Sequence, residues 1–217
     1  MCADFLNLEE ELRLFEAYSI EWLHVDIMDG HYVPNLTLGP DFCHALARGS
    51  SIPLDIHLMV ERPDLQVEPF FEVSGRKRIS FHPETVRQPV RLIQRMREAG
   101  AEPGVCVDPS QPVESFKHLL PLVDQVMVMT VNPGYAGQKL IPFCVEKLSA
   151  FRAEREKHQL KFAIEVDGNV SWENIPSMVQ AGAEILVAGT SSLFAKDGTP
   201  REATLRRMRE LLETLGC

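Results

Sequence analysis

Short alternating stretches of this chain place imidazole and carboxylate groups on one face of a strand. In "WLHVDIMDGHYVPN", His24 and Asp26 stand two residues apart, and "PLDIHLMV" repeats the arrangement with Asp55, His57 and Met59. Side chains two residues apart in a strand point to the same side of the sheet. Each stretch therefore presents polar chemistry on a face that would ordinarily join an apolar core.

Three further stretches show the same alternation, and they bring forward Glu165 with Asp167, Ser80 with His82, and Met127 with Met129. Two imidazoles and two carboxylates form a donor set suited to a divalent transition ion such as zinc, manganese, cobalt or ferrous iron. A lone strand histidine is more often a hydrogen-bonded core or surface group, but burying several such groups together without an ion would be costly. The spacing predicts a metal site and leaves open whether Asp55 or Asp167 is the second carboxylate.

Glycine-bearing loops follow the last three apolar runs, in "NPGYAGQ", "DGNV" and "AGTSSLF". Glycine lets the backbone approach a ligand closely, and successive amides ahead of a helix can bind an anion. Taken singly, each of these glycines is typical of an ordinary turn. Taken together, at the end of the chain where barrel enzymes commonly bind phosphate, they predict a phosphate site.

The elements that carry these residues alternate between short β-branched runs and longer amphipathic stretches. The sequence predicts strands over 22–27, 53–60, 78–82, 103–107, 125–131, 162–167 and 184–189. It predicts helices over 4–18, 62–73, 88–99, 112–119, 142–158, 171–181 and 200–215. Strands that alternate with helices imply parallel βαβ units.

At 217 residues, this alternation fits an open doubly wound sheet or an eight-stranded (β/α) barrel. No GxGxxG motif follows an early strand, which disfavours a dinucleotide-binding sheet. Polar residues at one end of many strands favour the barrel, because barrel active sites lie at the carboxyl ends of the strands. The prediction is a single barrel domain over 1–217 with its first strand truncated, since only "MCA" precedes Asp4.

Composition disfavours several classes of partner. The chain has 31 acidic and 22 basic residues and a net charge of −9, which disfavours nucleic acid and anionic membrane surfaces. No apolar run approaches the roughly 20 residues of a membrane span, and the N-terminus lacks the order of a signal peptide. Five scattered cysteines without a CxxC pair predict reduced thiols in a cytoplasmic protein.

Four segments resemble the ribulose-phosphate 3-epimerase family: "LHVDIMDGHYVPNLTLGP", "PLDIHLMVERP", "VMTVNPGYAGQKLIP" and "IEVDGNV". The resemblance spans essentially the whole chain. Members of that family fold as (β/α)8 barrels and invert C3 of a phosphorylated ketose, in most cases with a divalent metal. The resemblance implies that His24, Asp26, His57 and Asp167 are metal ligands, and that Asp26 and Asp167 are also the catalytic acid and base.

The same resemblance implies further roles. Met28, Met59 and Met129 correspond to the family's methionine cluster around the reacting carbons. The residues implied to bind substrate or phosphate are His57, Gly134, Tyr135, Ala136, Gly137, Gly168, Asn169, Gly189 and Thr190. The resemblance also implies one divalent ion (zinc, iron, manganese or cobalt), a small phosphorylated ketose as substrate, and a homo-oligomer, either a dimer or a hexamer.

Three departures from the family pattern are visible. The opening strand with "PSIL" and its substrate-contacting serine does not stand ahead of "CADF", "DGG" has become "DGN" at 167–169, and "AGS" has become "AGT". The second departure affects one of the phosphate-binding amides. The first predicts that this chain is less stable and less active than one extended upstream by the missing strand.

The resemblance leaves two substrates open. Ribulose 5-phosphate, interconverted with xylulose 5-phosphate in the pentose phosphate pathway, is narrowly favoured, and "NPGYAGQK" points to it. The segments "FHPET", "EVDGN" and "GTSSLF" point instead to allulose 6-phosphate, which is converted to fructose 6-phosphate. The competing functions are a metal-free phosphate-binding barrel enzyme, such as a decarboxylase or an indole-forming synthase, and a catalytically impaired barrel paralogue.

Overall fold

In the computed structural model, which describes residues 2–217, seven parallel strands form one sheet. They are β1 (Leu23–Met28), β2 (Leu54–Met59), β3 (Lys77–Phe81), β4 (Glu102–Val107), β5 (Gln125–Met129), β6 (Ala163–Asp167) and β7 (Ile185–Leu186). Each strand pairs in parallel with the next one along the chain, in the order β1-β2-β3-β4-β5-β6-β7. The predicted strand segments are confirmed, although β7 has only two residues where 184–189 was expected.

Helices connect the strands and precede β1. They are α1 (Leu8–Ala17), α2 (Pro40–Gly49), α3 (Pro63–Gln66), α4 (Glu68–Phe71), α5 (Pro89–Glu98), α6 (Phe143–His158), α7 (Ile175–Ala181) and α8 (Arg201–Leu215). Short 3-10 helices lie at Phe5–Asn7, Pro83–Thr85, Val113–Phe116 and Leu120–Leu122. In the part of the chain that the structure describes, no helix is long and apolar enough to cross a membrane.

Three helical segments differ most from the prediction. The segment 62–73 divides into α3 and α4, because Pro69 lacks the backbone N–H that a continuous helix would require. The segment 112–119, bracketed by Pro112 and Pro121, forms only a 3-10 turn. The helix α2 was not predicted, although its proline in the first turn and its two buried side chains three residues apart, Cys43 and Leu46, are typical of a helix start and a helix face.

The sheet curls into a barrel around a polar interior. His24 on β1 and Glu165 on β6 approach to 3.9 Å (Nδ1 to Oε1), although four strands lie between β1 and β6 in the sheet order. Only a closed curve brings these two side chains together. Alternate residues of the same strands, such as Val25, Ile56 and Val126, point outward and are buried in the main hydrophobic core with the helices.

The barrel has an opening between its first and last strands. Within residues 2–217, β7 pairs with β6 and β1 with β2, and β7 and β1 do not pair with each other. A cavity of about 920 Å³ is lined by both strands and by apolar side chains of α1 and α8, including Leu8, Leu12, Phe15, Leu205 and Met208. Of the predicted remnant of a first strand, Cys2 and Ala3 form no strand, and Met1 lies outside the described residues.

Gly104 on β4 is required by the close packing inside the barrel. A Cβ at this position would lie 2.1 Å from Ser80 Oγ and 3.2 Å from Gln125 Oε1. The Ser80 hydroxyl donates to Gln125 Oε1 across 3.2 Å, and neither residue has exposed surface. A larger side chain at position 104 would therefore have to displace a buried hydrogen-bonded pair.

We expect Gly104→Ala to lower the free energy of unfolding by roughly 1–3 kcal/mol, the usual cost of overpacking a core. Thermal denaturation of both proteins measures the difference. Gly49→Ala in α2 is the matched control, because its added Cβ would meet only Leu12 Cδ1 at an ordinary 3.7 Å. A melting temperature unchanged by Gly104→Ala would show that Ser80 can move aside without loss.

Candidate active site and metal centre

Four polar side chains converge inside the barrel from β1, β2 and β6. One donor atom from each of His24, Asp26, His57 and Asp167 lies within 4.8 Å of the other three. Asp26 Oδ1 is 3.3 Å from His24 Nε2 and 3.4 Å from His57 Nδ1, and His57 Nδ1 is 3.7 Å from Asp167 Oδ2. Asp26 and His57 are direct partners in the register of β1 and β2, which places them side by side.

Within residues 2–217, two nitrogen atoms of this cluster lack a partner that a metal ion would supply. His24 Nε2 and His57 Nδ1 are buried, and neither has a hydrogen-bond partner among the described residues. A buried nitrogen without a partner is costly, and an ion held between the four groups would satisfy both. Two imidazole nitrogens with two carboxylate oxygens suit zinc, manganese, cobalt or ferrous iron. The residues therefore fit a divalent ion.

Asp55 lies on the opposite side of His24 from this cluster. His24 Nδ1 donates to Asp55 Oδ2 at 2.6 Å, so in the neutral ring Nε2 is the nitrogen without a proton, and it faces Asp26. A carboxylate in this position fixes the tautomer and the ring orientation of a metal-binding histidine. Of the two carboxylates that the spacing left open, Asp55 has the position of an orienting group, and Asp167 lies with the donor set.

Glu165 completes the environment of Asp55. Burial and the charge of Asp55 raise the pKa of Glu165 well above its usual value. Burial would also raise the pKa of Asp55, but His24, Glu165 and Arg78 together outweigh burial and lower it. These opposite shifts favour a shared proton on Glu165, beside ionised Asp55, between two carboxyl groups that are both buried.

We expect the stability of the Glu165→Gln variant to fall less than that of the wild type as pH rises. A carboxyl group whose pKa is raised by folding stabilises the protein below its unfolded pKa, and this contribution is lost as pH rises through the folded pKa. Glutamine keeps a donor toward Asp55 and does not titrate. Thermal denaturation of chelator-treated protein from mildly acidic to alkaline pH measures the effect, with Glu114→Gln at an exposed position as control. Parallel pH profiles for wild type and Glu165→Gln would contradict this assignment.

A second imidazole supports His57 from behind. His57 Nε2 lies 3.0 Å from His82 Nε2, and the two buried rings stack with centroids 5.2 Å apart. His82 Nδ1 lies 2.9 Å from the hydroxyl of Tyr32, which donates to Glu84 Oε1 at 2.9 Å. Burial lowers the pKa of His82, so this ring is neutral. The strand alternation indicated His82 as an inward side chain, but no sequence signal singled out Tyr32.

The two carboxylates of the donor set differ in their tendency to hold a proton. Burial would raise the pKa of Asp26, but the imidazoles of His24 and His57 outweigh burial and hold the pKa far below its usual value. Burial raises the pKa of Asp167, and the charge of Asp26 adds to the effect. Two carboxyl groups in a single site whose pKa values are shifted in opposite directions form the pattern of an acid and base pair.

The cavity of about 920 Å³ reaches this cluster. The residues that the sequence placed in the site and that line the cavity are His24, Asp26, Met28, Met59, Met129, Gly134, Tyr135, Ala136, Gly137, Asp167, Gly168, Asn169, Gly189 and Thr190. His57, by contrast, has no exposed surface. The three glycine-bearing loops and the methionines therefore surround the same space as the carboxylates.

The turn at 168–169 holds two of these loops together. Gly168 has φ +112°, and a Cβ there would lie 2.6 Å from Val131 Cγ2, so this position requires glycine. Asn169 has φ +47°, which asparagine tolerates better than most residues. Its Nδ2 donates to the carbonyl of Gln138 at 2.7 Å, and its Oδ1 accepts from Asn174 Nδ2 at 2.7 Å. The asparagine that departs from the family's "DGG" therefore adds a link between loops.

Known ribulose-phosphate 3-epimerases are similar to this sequence over nearly its whole length. The model of the ribulose-phosphate 3 epimerase family matches residues 1–194. The ribulose-phosphate 3-epimerase of Treponema pallidum is 38% identical over 206 residues, which are 92% of this chain and 94% of that protein. The Bacillus subtilis protein of the same name is 40% identical over 192 residues, which are 88% of each.

Solved structures confirm the barrel fold. A mutant tryptophan synthase alpha-subunit from Pyrococcus furiosus has a TM-score of 0.68 to this structure and covers 98% of this chain and 94% of its own. Its identity is 17%, so this likeness concerns the fold alone. The sequence comparisons reach further, because they extend across the strands that carry the clustered side chains. The chain belongs to the ribulose-phosphate 3-epimerase family, whose members are isomerases acting on carbohydrates.

Proposed function

We propose that this chain interconverts D-ribulose 5-phosphate and D-xylulose 5-phosphate with the help of one divalent metal ion. The observation that carries the proposal is the pair Asp26 and Asp167, whose oxygen atoms approach within 4.8 Å and whose tendencies to hold a proton are opposite. Relatives that are 37% to 40% identical and are named ribulose-phosphate 3-epimerase support this choice of substrate.

Inversion at C3 requires a proton to leave one face of the substrate and a proton to arrive on the other. In our proposal ionised Asp26 takes the C3 proton, and the electron pair of the C3–H bond moves toward the C2 ketone to give an enediolate. Protonated Asp167 then donates its proton to the opposite face of C3 as the ketone reforms. The reverse reaction exchanges the two roles, because one base cannot reach both faces.

His24, Asp26, His57 and Asp167 would hold the ion, which when bound supplies Lewis-acid stabilisation of negative charge on the substrate oxygens. Asp55 aligns His24 for this task. Met28, Met59 and Met129 are each 2% exposed and line the cavity beside the carboxylates. Their thioethers exclude water from the enediolate and offer no strong proton donor.

We assign the phosphate group of the substrate to the loops at 134–137, 168–169 and 189–190. All three loops line the cavity that reaches the carboxylates. Glycine at positions 134, 137, 168 and 189 lets backbone amides approach an anion closely. These amides are local dipoles, so the net charge of −9 does not prevent an anionic substrate from binding there.

The cytoplasmic location and the homo-oligomer stay predictions from the sequence.

The deciding experiment compares two substrates on purified protein loaded with zinc, manganese, cobalt or ferrous iron. A higher kcat/KM for ribulose 5-phosphate than for allulose 6-phosphate supports the proposal. A higher value for allulose 6-phosphate, which "EVDGN" and "GTSSLF" favour, would replace the substrate and keep the mechanism. Protein that binds the ion but turns over neither sugar would contradict the proposed function and favour a catalytically impaired paralogue.

A further inference from the structure

We propose that Tyr32 is a positioning residue that acts through His82 and fixes the tautomer in which His57 presents an unprotonated Nδ1 to the metal centre. The inference rests on the proposed metal-dependent function. It concerns a row of four side chains that begins at the buried site and ends at Glu84, whose side chain is 28% exposed. Within this row, each hydrogen-bonding nitrogen or oxygen atom has an assigned part as donor or acceptor.

The first step concerns His57. Its Nδ1 faces Asp26 Oδ1 at 3.4 Å and Asp167 Oδ2 at 3.7 Å, and it has no hydrogen-bond partner among the described residues. A nitrogen that binds a metal carries no proton, so a neutral His57 must carry its proton on Nε2. That N–H points at His82 Nε2, which is 3.0 Å away.

The second step concerns His82. Because its Nε2 must accept the proton of His57, its own proton must lie on Nδ1. Nδ1–H then donates to the Tyr32 oxygen at 2.9 Å. The opposite tautomer of His82 would either set two N–H groups against each other at 3.0 Å or force the proton of His57 onto Nδ1, inside the metal centre.

The third step gives the row its direction. The Tyr32 hydroxyl has one proton, and it donates this proton to Glu84 Oε1 at 2.9 Å. An ionised carboxylate only accepts, so the lone pairs of the Tyr32 oxygen are left to face His82 Nδ1. Glu84 itself lies 3.4 Å from His82 Nδ1, too far to replace the hydroxyl well. Glu84 therefore fixes which nitrogen of His82 carries a proton, and through His82 it fixes which nitrogen of His57 does.

Tyr32→Phe tests the inference, because it removes the hydroxyl and keeps the ring that packs on His82 with centroids 4.7 Å apart. We expect the Kd for zinc, measured in competition with a chelating dye, to rise by roughly 10- to 100-fold, as when other groups that orient a ligand are lost. Nitrogen-15 NMR of the histidine rings in metal-free protein reads the tautomers directly. In the wild type we expect protons on His82 Nδ1 and His57 Nε2, and in Tyr32→Phe a mixture.

Tyr18→Phe is the matched control. Tyr18 also donates to a glutamate, Glu202, at 3.1 Å, but it does so between α1 and α8 at an exposed position, and the Kd for zinc should not change. Unchanged zinc binding in Tyr32→Phe, or a proton on His82 Nε2 in the wild type, would overturn the inference. Neither measurement uses a sugar phosphate. Wild-type protein that binds zinc but fails to epimerise would therefore contradict the proposed function alone.

Discussion

Asp167→Asn should lower the turnover of ribulose 5-phosphate by roughly 10²- to 10⁴-fold, the usual contribution of a positioned acid or base. Asparagine neither holds nor releases a proton in the working pH range, so protonation from the Asp167 side would stop. Asp26 would still be able to remove and return a proton on its own face. Exchange of the C3 proton with deuterium from the solvent should therefore outlast inversion, and mass spectrometry with a coupled assay for xylulose 5-phosphate separates the two.

The same variant removes a proposed metal ligand, so metal content must be measured on the sample that is assayed. Turnover is then expressed per bound ion, which separates loss of the ion from loss of the proton donor. Asp41→Asn at the exposed start of α2 is the matched control for the substitution itself. Full turnover in Asp167→Asn at full metal content would remove Asp167 from the mechanism.

Extension of the N-terminus by a strand that carries the family's serine should make the protein more stable and more active. In the described structure β1 and β7 each leave one edge unpaired, and Leu12, Phe15 and Leu205 line the opening between them. An added strand would pair with both edges and close the opening. Turnover should rise as well, because β1 carries His24 and Asp26 and would then be held from both sides.

The expected gain follows from the backbone hydrogen bonds that the added strand would complete along the free edges of β1 and β7. Each kcal/mol gained at the melting temperature would raise Tm by roughly 2–4 °C in a chain of this length. An extension of equal length made of glycine and serine is the control. Equal stability and turnover for both extensions would mean that the strand is not needed.

Much of the barrel and its clustered site could be predicted from the sequence because both depend on strand alternation. A period of two sends His24, Asp26 and His57 inward whatever the detailed path of the chain. Parallel strands in sequence order then bring the inward residues to one axis, and Asp167 joins them from β6. The periodicity did not distinguish Asp55 from Asp167, because both point inward, Asp55 from the start of β2 and Asp167 from the end of β6.

What the sequence did not predict depends on loops and on distant partners. Tyr32 lies in the loop after β1 and meets His82 fifty positions later in the chain, and no local pattern records that contact. The shortness of β7 has a similar origin, because residues 184–189 have a strand composition but find a backbone partner only in β6. Propensity indicates that a segment can pair, whereas the neighbouring edge decides how much of it does.

The order of pairing in the sheet determines how the barrel opens locally. Strands β2 to β6 each have two paired neighbours, whereas β1 and β7 have one, so amide hydrogen exchange should be slowest in the middle of the sheet and fastest at its two ends. His24 and Asp26 stand on one of these end strands, and Asp167 stands on β6 near the other. An ion shared by them would tie the two ends together across the barrel through side chains. Binding of the ion would therefore also suppress the local opening of β1. Catalysis and the local stability of the barrel would then depend on the same four groups.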